Sequence, residues 1–280
     1  MADAILSSPV EKQKKQKALD LKYQPGFSWV AWMCICVLYA PIVVLVLFSF
    51  NANRSVTTWT EFSFDWYIKA WHNEGIQGAA LLSVEVAVIA AVLATIMATM
   101  AALVTTRVAP YKGMNSSITI INMPLMVPEI VTAVATLIFF ASIRKATGIT
   151  GVGYLIAAHT CFCIPFAYMP IKARLEGMNL NLEHAAADLY ASPFKSFQRV
   201  TLPLLMPGIV SGAMLAFIVS LDDVVISLFV AGPGETTLPL FILGQIRRGV
   251  TPEVNAVATV FLVISIILVT FIFLFGKNKK

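Results

Sequence analysis

The sequence predicts an all-helical, polytopic membrane protein with six transmembrane helices, on three observations. Of 280 residues, 58% are hydrophobic and only 12% charged, and the mean hydropathy of +0.81 lies beyond that of soluble domains. Apolar runs long enough to cross a hydrocarbon core of about 30 Å recur along the whole chain. These runs do not alternate every second residue, so they do not read as barrel strands.

The six runs fall near 28–50, 78–105, 117–142, 149–171, 205–231 and 255–276, making residues 28–276 one membrane domain. The first is too long, and lacks a small-residue cleavage pattern after it, to be a removed signal peptide, so it is expected to stay as an anchor. Before it, residues 1–27 form a basic tail carrying EKQKKQK at 11–17. With few aromatics, that tail reads as a solvated segment touching anionic lipid and not as a nucleic-acid binder. The third run contains PLMVP, in which Pro124 and Pro128 each remove a helix hydrogen bond, so this span should be kinked or broken near its middle. Residues 277–280 form a short basic C-terminal tail. Lys and Arg near span ends are retained on the cytoplasmic side. If both termini are placed there, fourteen of the twenty cations fall on the inner segments and Arg54, Lys69, Arg144, Lys145, Arg247 and Arg248 on the outer ones. This division favours both termini in the cytoplasm.

Several function classes are excluded or weakened. No G-x-x-x-x-G-K-[ST] phosphate loop occurs, so ATP and its Mg²⁺ would have to be bound by another chain. No cofactor or metal is expected here: Cys34, Cys36, Cys161 and Cys163 lie in apolar flanks without nearby carboxylates and read as small buried residues. No internal repeat or pair of matching broken helices marks a secondary carrier.

The polar stretch 181–208, NLEHAAADLYASPFKSFQRVTLPLLMPG, interrupts the apolar pattern. It reads as two short helices with a turn. Asn181 is a plausible N-cap with Glu183 in the first turn, where a carboxylate meets the positive end of the helix dipole. Ala185, Ala186 and Ala187 give a helical segment with a small surface. Ser192-Pro193 is a cap followed by a first-turn proline, and Leu202-Pro203 and Pro207-Gly208 are expected to close the second helix before the fifth span. On the charge division this hairpin is cytoplasmic.

Its spacing resembles the EAA loop of bacterial ABC-importer permeases, close to E-x-A-A-x-D-x-G-A-x-x-x-x-x-F-x-x-V-x-L-P-x-x-x-P. Glu183, Ala185, Ala186, Asp188, Ala191, Phe197, Val200, Leu202, Pro203 and Pro207 fall on that pattern. The resemblance implies the type I ABC-importer permease (MetI-like) fold. It also implies a coupling loop at 181–204 that docks into an ATPase subunit through Glu183, Ala185, Ala186, Asp188, Tyr190, Phe197, Leu202 and Pro203. Tyr190 stands where the pattern has glycine, so the turn is expected to differ in shape there.

Ionisable groups inside spans are expensive and usually mark a pathway or a paired partner. Glu85, Glu129, Asp222 and Asp223 lie in the predicted spans without an intramembrane Lys or Arg, and unpaired anions attract cations. The break at Pro128 should present Glu129 to a cavity. On a continuous helix Asp223 shares a stripe with Ser220 and Ser227, which turns it toward a wet interior. Asp222 then sits either at a helix contact or lower on the pore wall. Glu85 sits near the outer end, where snorkelling explains it, and His159 reads as a helix-packing hydrogen-bonder. The aromatics Trp59, Phe62, Phe64, Trp66, Tyr67 and Trp71 form an interfacial belt, from which Trp59 is singled out as a cation-π contact for passing cargo.

The strings PLMVPEIV, HTCFCIPFAY, SLDDVVISLFVAGPGETTLPL and GVTPEVNAVAT resemble those of spermidine/putrescine importer permeases, collinearly from about Tyr39 to Val263. That resemblance implies a polyamine pathway lined by Glu129, Asp222 and Asp223. It implies as partners a second related permease, two ATPase copies and an extracytoplasmic binding protein, with no catalysis by this chain itself. A stand-alone cation channel or carrier is the rival reading, and the sequence does not separate putrescine from spermidine.

Overall fold

The computed structural model describes residues 25–54, 58–249 and 251–277. Most of the basic tail, the last three residues and positions 55–57 and 250 lie outside that set. Two compact units are formed, one running up to Leu45 and the other from Val46 onward. Most of α1 (Pro25–Phe48) belongs to the first; it opens on a proline, which suits a first turn, and carries Pro41 inside.

The second unit begins with a knot around Asn51. This buried side chain donates to Thr58 O at 2.8 Å and accepts from Thr60 N at 3.0 Å, while its own carbonyl accepts from Trp66 Nε1 at 2.8 Å. Phe50 stacks on Phe62 and meets Phe64 and Tyr67, so several of the predicted belt aromatics form one cluster. There follow the short amphipathic α2 (Asp65–His72) and the 34-residue α3 (Glu74–Arg107), capped by Asn73, which accepts from Gly75 N.

The third span is broken where the prolines predict. α4 (Met114–Met126) contains Pro124, and α5 (Glu129–Thr147) starts after Val127 and Pro128, both extended at ψ 137° and 133°. α6 (Gly153–Glu176) then leads to the hairpin, formed by α7 (Asn181–Asp188) and α8 (Pro193–Ser196). A π-helical turn, Phe197–Thr201, joins α8 to α9 (Leu202–Asp222). α10 (Val225–Val230), α11 (Leu238–Arg248) and α12 (Pro252–Lys277) complete the order. Six of these segments are long and apolar enough to cross a membrane: 28–48, 74–107, 129–147, 153–176, 193–222 and 252–270.

Two expectations for the hairpin are corrected. Leu180 caps α7, and Asn181 is the first helical residue, its N–H taken by Asn179 Oδ1 at 3.0 Å. Nor does the chain stop at Leu202-Pro203 or Pro207-Gly208: helix continues from Pro193 to Asp222 as one 30-residue span. The π turn directly before Pro203 is the kind of local distortion that lets a helix run past a proline. Ser192 does cap α8, accepting from Lys195 N at 3.4 Å.

α3, α6 and α9 pack on one another and form the core. Small side chains make the close approach possible. Ala94, Ala98 and Ala102 of α3 are fully buried against Cys163, Ala167 and Ile171 of α6 and Ala216 of α9. On α9, Gly208 and Gly212 form a G-x-x-x-G face; a Cβ at Gly212 would lie 2.7 Å from Ala167 O, and one at Gly208 2.7 Å from Arg174 Cβ. The Thr105 and Tyr168 hydroxyls share a 2.9 Å hydrogen bond inside this seam. Of the cysteines on α6, only Cys163 is buried, whereas Cys161 is exposed, because the two project to different sides of the helix.

Gly212→Leu should force α9 from α6, because the obstacle is a backbone carbonyl, and destabilise the protein by about 1–3 kcal/mol. Thermal melting of the purified protein in detergent measures this; an unchanged midpoint would contradict the packing described.

Candidate functional site

Two breaks in helices meet at the acidic site. α5 begins at Glu129, freed by the Val127-Pro128 break, and α9 ends at Asp222, so that Asp223, at ψ 127°, leads through Val224 into α10. α10 packs on α5 and on α6. Asp223 Oδ1 accepts from Ile226 N at 3.2 Å and Oδ2 from Ser227 N at 3.0 Å, so the carboxylate caps the first turn of α10.

Asp223 is 6% exposed and His159 1%. His159 Nε2 lies 3.5 Å from Asp223 Oδ2 and 3.1 Å from Ser227 Oγ, while Nδ1 shares a 2.9 Å hydrogen bond with Ser220 Oγ. One imidazole therefore ties α6 to both sides of the break after α9. The carboxyl group of Glu129, half-buried at the start of α5, adjoins that of Asp223.

Asp223 does not continue a helical stripe with Ser220 and Ser227, because the helix ends at Asp222; Asp223 turns inward as a cap and Asp222 is the exposed member of the pair. Asp222 borders an otherwise apolar cavity of about 280 Å³ lined by Val224, Pro239, Ile242, Leu243, Ile246 and Phe261. Ser220 is buried as a partner of His159 and does not line a wet face. Trp59, itself exposed, packs edge-on against Phe48 with ring centroids 6.1 Å apart. Glu85, exposed, lines a separate cavity of about 530 Å³ with Glu74, Gly78 and Phe241. Among the described residues no group of three His, Cys, Asp or Glu is placed to hold a metal.

The hairpin forms a second region. Ala185 and Asp188 are exposed, and so are Leu189 at 82%, Tyr190 at 98% and Phe194 at 73%. Ala186 and Phe197 are half-buried, Leu202 is partly covered and Pro203 exposed. Tyr190 has φ 56°, the single positive value at a non-glycine among the described residues. The turn thus takes the left-handed backbone to which glycine is suited, at a strain of about 1–2 kcal/mol, and the ring is almost wholly exposed. Glu183 is engaged inside the chain: Oε1 meets Arg107 Nε at 3.1 Å and accepts from Thr201 Oγ1 at 3.2 Å. Arg107, which the sequence marks only as a basic span end, lies 76 positions away, so no local pattern could reveal the pair.

Residues 94–278 match the family described as "Binding-protein-dependent transport system inner membrane component". The chain belongs to this family. It is similar to the "Putrescine transport system permease protein PotI" of Escherichia coli (strain K12), 40% identical over 228 residues that cover 80% of this chain and 81% of that protein. It is also 40% identical, over 83% of its own length and 89% of the other, to the "Spermidine/putrescine transport system permease protein PotC" of Haemophilus influenzae. In fold it matches a bacterial ABC transporter involved in alginate import, with TM-score 0.68 and 15% identity over 91% of this chain and 97% of that one. It matches the MetNI methionine ABC transporter with TM-score 0.61 and 16% identity over 74% and 98%. The permease therefore has the type I ABC-importer fold and is an inner-membrane component of a binding-protein-dependent transport system.

Because Asp223 caps α10 and faces a buried imidazole, Asp223→Ala should act on the fold. It strands two backbone N–H groups and should lower stability by about 2 kcal/mol, whereas Asp223→Asn, which keeps one acceptor, should lose less. Melting of the two purified variants separates these; an alanine variant as stable as the parent would contradict the capping role.

Proposed function

We propose that this permease forms half of the transmembrane pathway of an ATP-driven importer for putrescine, spermidine or both. The observation that carries the reading is its 40% identity to permeases named for putrescine and for spermidine/putrescine over four fifths of the chain. The site chemistry is consistent with it. Glu129 and Asp222 are acidic groups in the membrane region for which no ion pair with Lys or Arg is found among the described residues. An ammonium group arriving in a medium of low dielectric is attracted to such carboxylates more strongly than in water. Glu129 is the cargo-facing group in this reading, Asp222 its neighbour lower on the wall, and Asp223, with His159 and Ser220, holds the break that positions both.

The partners are a second, homologous permease, an ATPase dimer that binds ATP and Mg²⁺, and an extracytoplasmic polyamine-binding protein. Both termini and the hairpin 181–204 face the cytoplasm, where Leu189, Tyr190 and Phe194 offer an apolar surface to the ATPase; large side chains so exposed on a water-facing hairpin mark an interaction site. ATP-driven closure of the ATPase pair moves the hairpin and opens the carboxylate site outward.

In a strain lacking this permease, Glu129→Ala should restore labelled putrescine or spermidine uptake about tenfold less well than the parent, equivalent to roughly 1.4 kcal/mol, with the complex still assembled. Glu129→Asp should retain most uptake. Full uptake by the alanine variant would remove Glu129 from the pathway. For the docking surface, Leu189→Asp with Phe194→Asp should abolish co-purification of the ATPase, and an undiminished yield of the complex would count against it.

A further inference from the structure

We infer that Arg107 is a positioning residue of the coupling apparatus, and that Glu183 acts through it and not by direct contact with the ATPase. The inference rests on the reading of 181–204 as the coupling hairpin. Arg107 is the last residue of α3, where a cation meets the negative end of the helix dipole. Its Nη2 donates to Leu175 O at 3.0 Å, joining Met178 N, at 3.2 Å, on this last-turn carbonyl of α6. Its Nε meets Glu183 Oε1 in the first turn of α7 at 3.1 Å. The same oxygen accepts from Thr201 Oγ1, at the end of the π turn, at 3.2 Å.

Four segments thus converge on one guanidinium–carboxylate pair: the ends of α3 and α6, the start of α7 and the turn entering α9. The side chains of Arg107 and Glu183 are 17% and 22% exposed, so water and salt screen the pair only in part. Glu183 Oε1 is already occupied by two donors. The most exposed large side chains on the hairpin are Leu189, Tyr190 and Phe194, which are apolar or aromatic and lie among the exposed polar groups His184, Asp188 and Lys195. A force applied at that surface reaches the bundle through Arg107, which links α7 to two of the three core helices. The planar fork matters here, because Arg serves the Leu175 carbonyl and the carboxylate together, and a lysine has a single ammonium to offer.

The test uses the complete importer, purified with its ATPase and binding protein in lipid, and reads the ratio of binding-protein-stimulated to basal ATP hydrolysis. Arg107→Ala and Glu183→Ala should each lower that ratio about fivefold while the ATPase still co-purifies. Arg107→Lys should fall between Arg107→Ala and the parent. The exchanged pair, Arg107→Glu with Glu183→Arg, should recover a ratio at least twofold above Arg107→Glu or Glu183→Arg alone. Recovery by exchange is a result that a direct Glu183–ATPase contact does not produce, and it also shows that the variants fold. An unchanged ratio in Arg107→Ala, or an exchanged pair no better than its single variants, would overturn the inference while leaving the coupling reading intact. A parent complex from which the ATPase is absent, or in which the binding protein gives no stimulation, would remove both.

Discussion

Close contact among α3, α6 and α9, made possible by alanine and glycine at the seam, is the constraint on which the rest of the permease depends. In a bilayer no hydrophobic force draws helices together, so packing and internal hydrogen bonds must hold them. Ala94, Ala98 and Ala102 on one side and Gly208, Gly212 and Ala216 on the other bring backbones near enough for both. α6 lies in this seam along its length. It presents His159 to the acidic site near one point and the carbonyl of Leu175 to Arg107 near its end. Sixteen residues separate the two, about 24 Å of helix. A rigid α6 therefore joins the region assigned to cargo with the region assigned to coupling.

Both functional regions are built where regular helix fails. Val127-Pro128 interrupts the third span and leaves Glu129 as a first-turn residue; Asp223 and Val224 interrupt the fifth and leave a carboxylate to satisfy the new helix start. Non-helical backbone at membrane depth is tolerated only inside protein or beside a water-filled space, and here the Asp223 carboxylate accepts from the Ile226 and Ser227 N–H groups while His159 backs it. At the hairpin, a left-handed Tyr190 redirects the chain, and a π turn carries the next helix past Pro203.

Much of this was legible in the sequence. Hydropathy found six spans, though the third and fifth run over 129–147 and 193–222 instead of 117–142 and 205–231; two prolines located the break before Glu129, and Ser192-Pro193 marked the start of α8, because these signals act within a few residues of their effect. What escaped was non-local or depended on where a helix stops. The wheel that placed Asp223 and Ser220 on a wet face assumed helix through position 227, and two residues of non-helical backbone inverted the assignment of Asp222 and Asp223. Leu202-Pro203 read as a helix stop because proline usually is one, yet the π turn before it let the helix continue. The G-x-x-x-G face of α9 was visible as Gly208 and Gly212 but does not announce its partner, and Arg107 could be joined to Glu183 only in three dimensions.

The central claim is that ATP hydrolysis outside this chain drives polyamines through it. Its most direct test is transport into proteoliposomes that contain the assembled importer with its ATPase side facing outward and the binding protein sealed inside with labelled putrescine or spermidine. The account predicts release of the label to the outside only when ATP and Mg²⁺ are added there. Release that is equally fast without ATP, or no release of either polyamine with it, would contradict the claim.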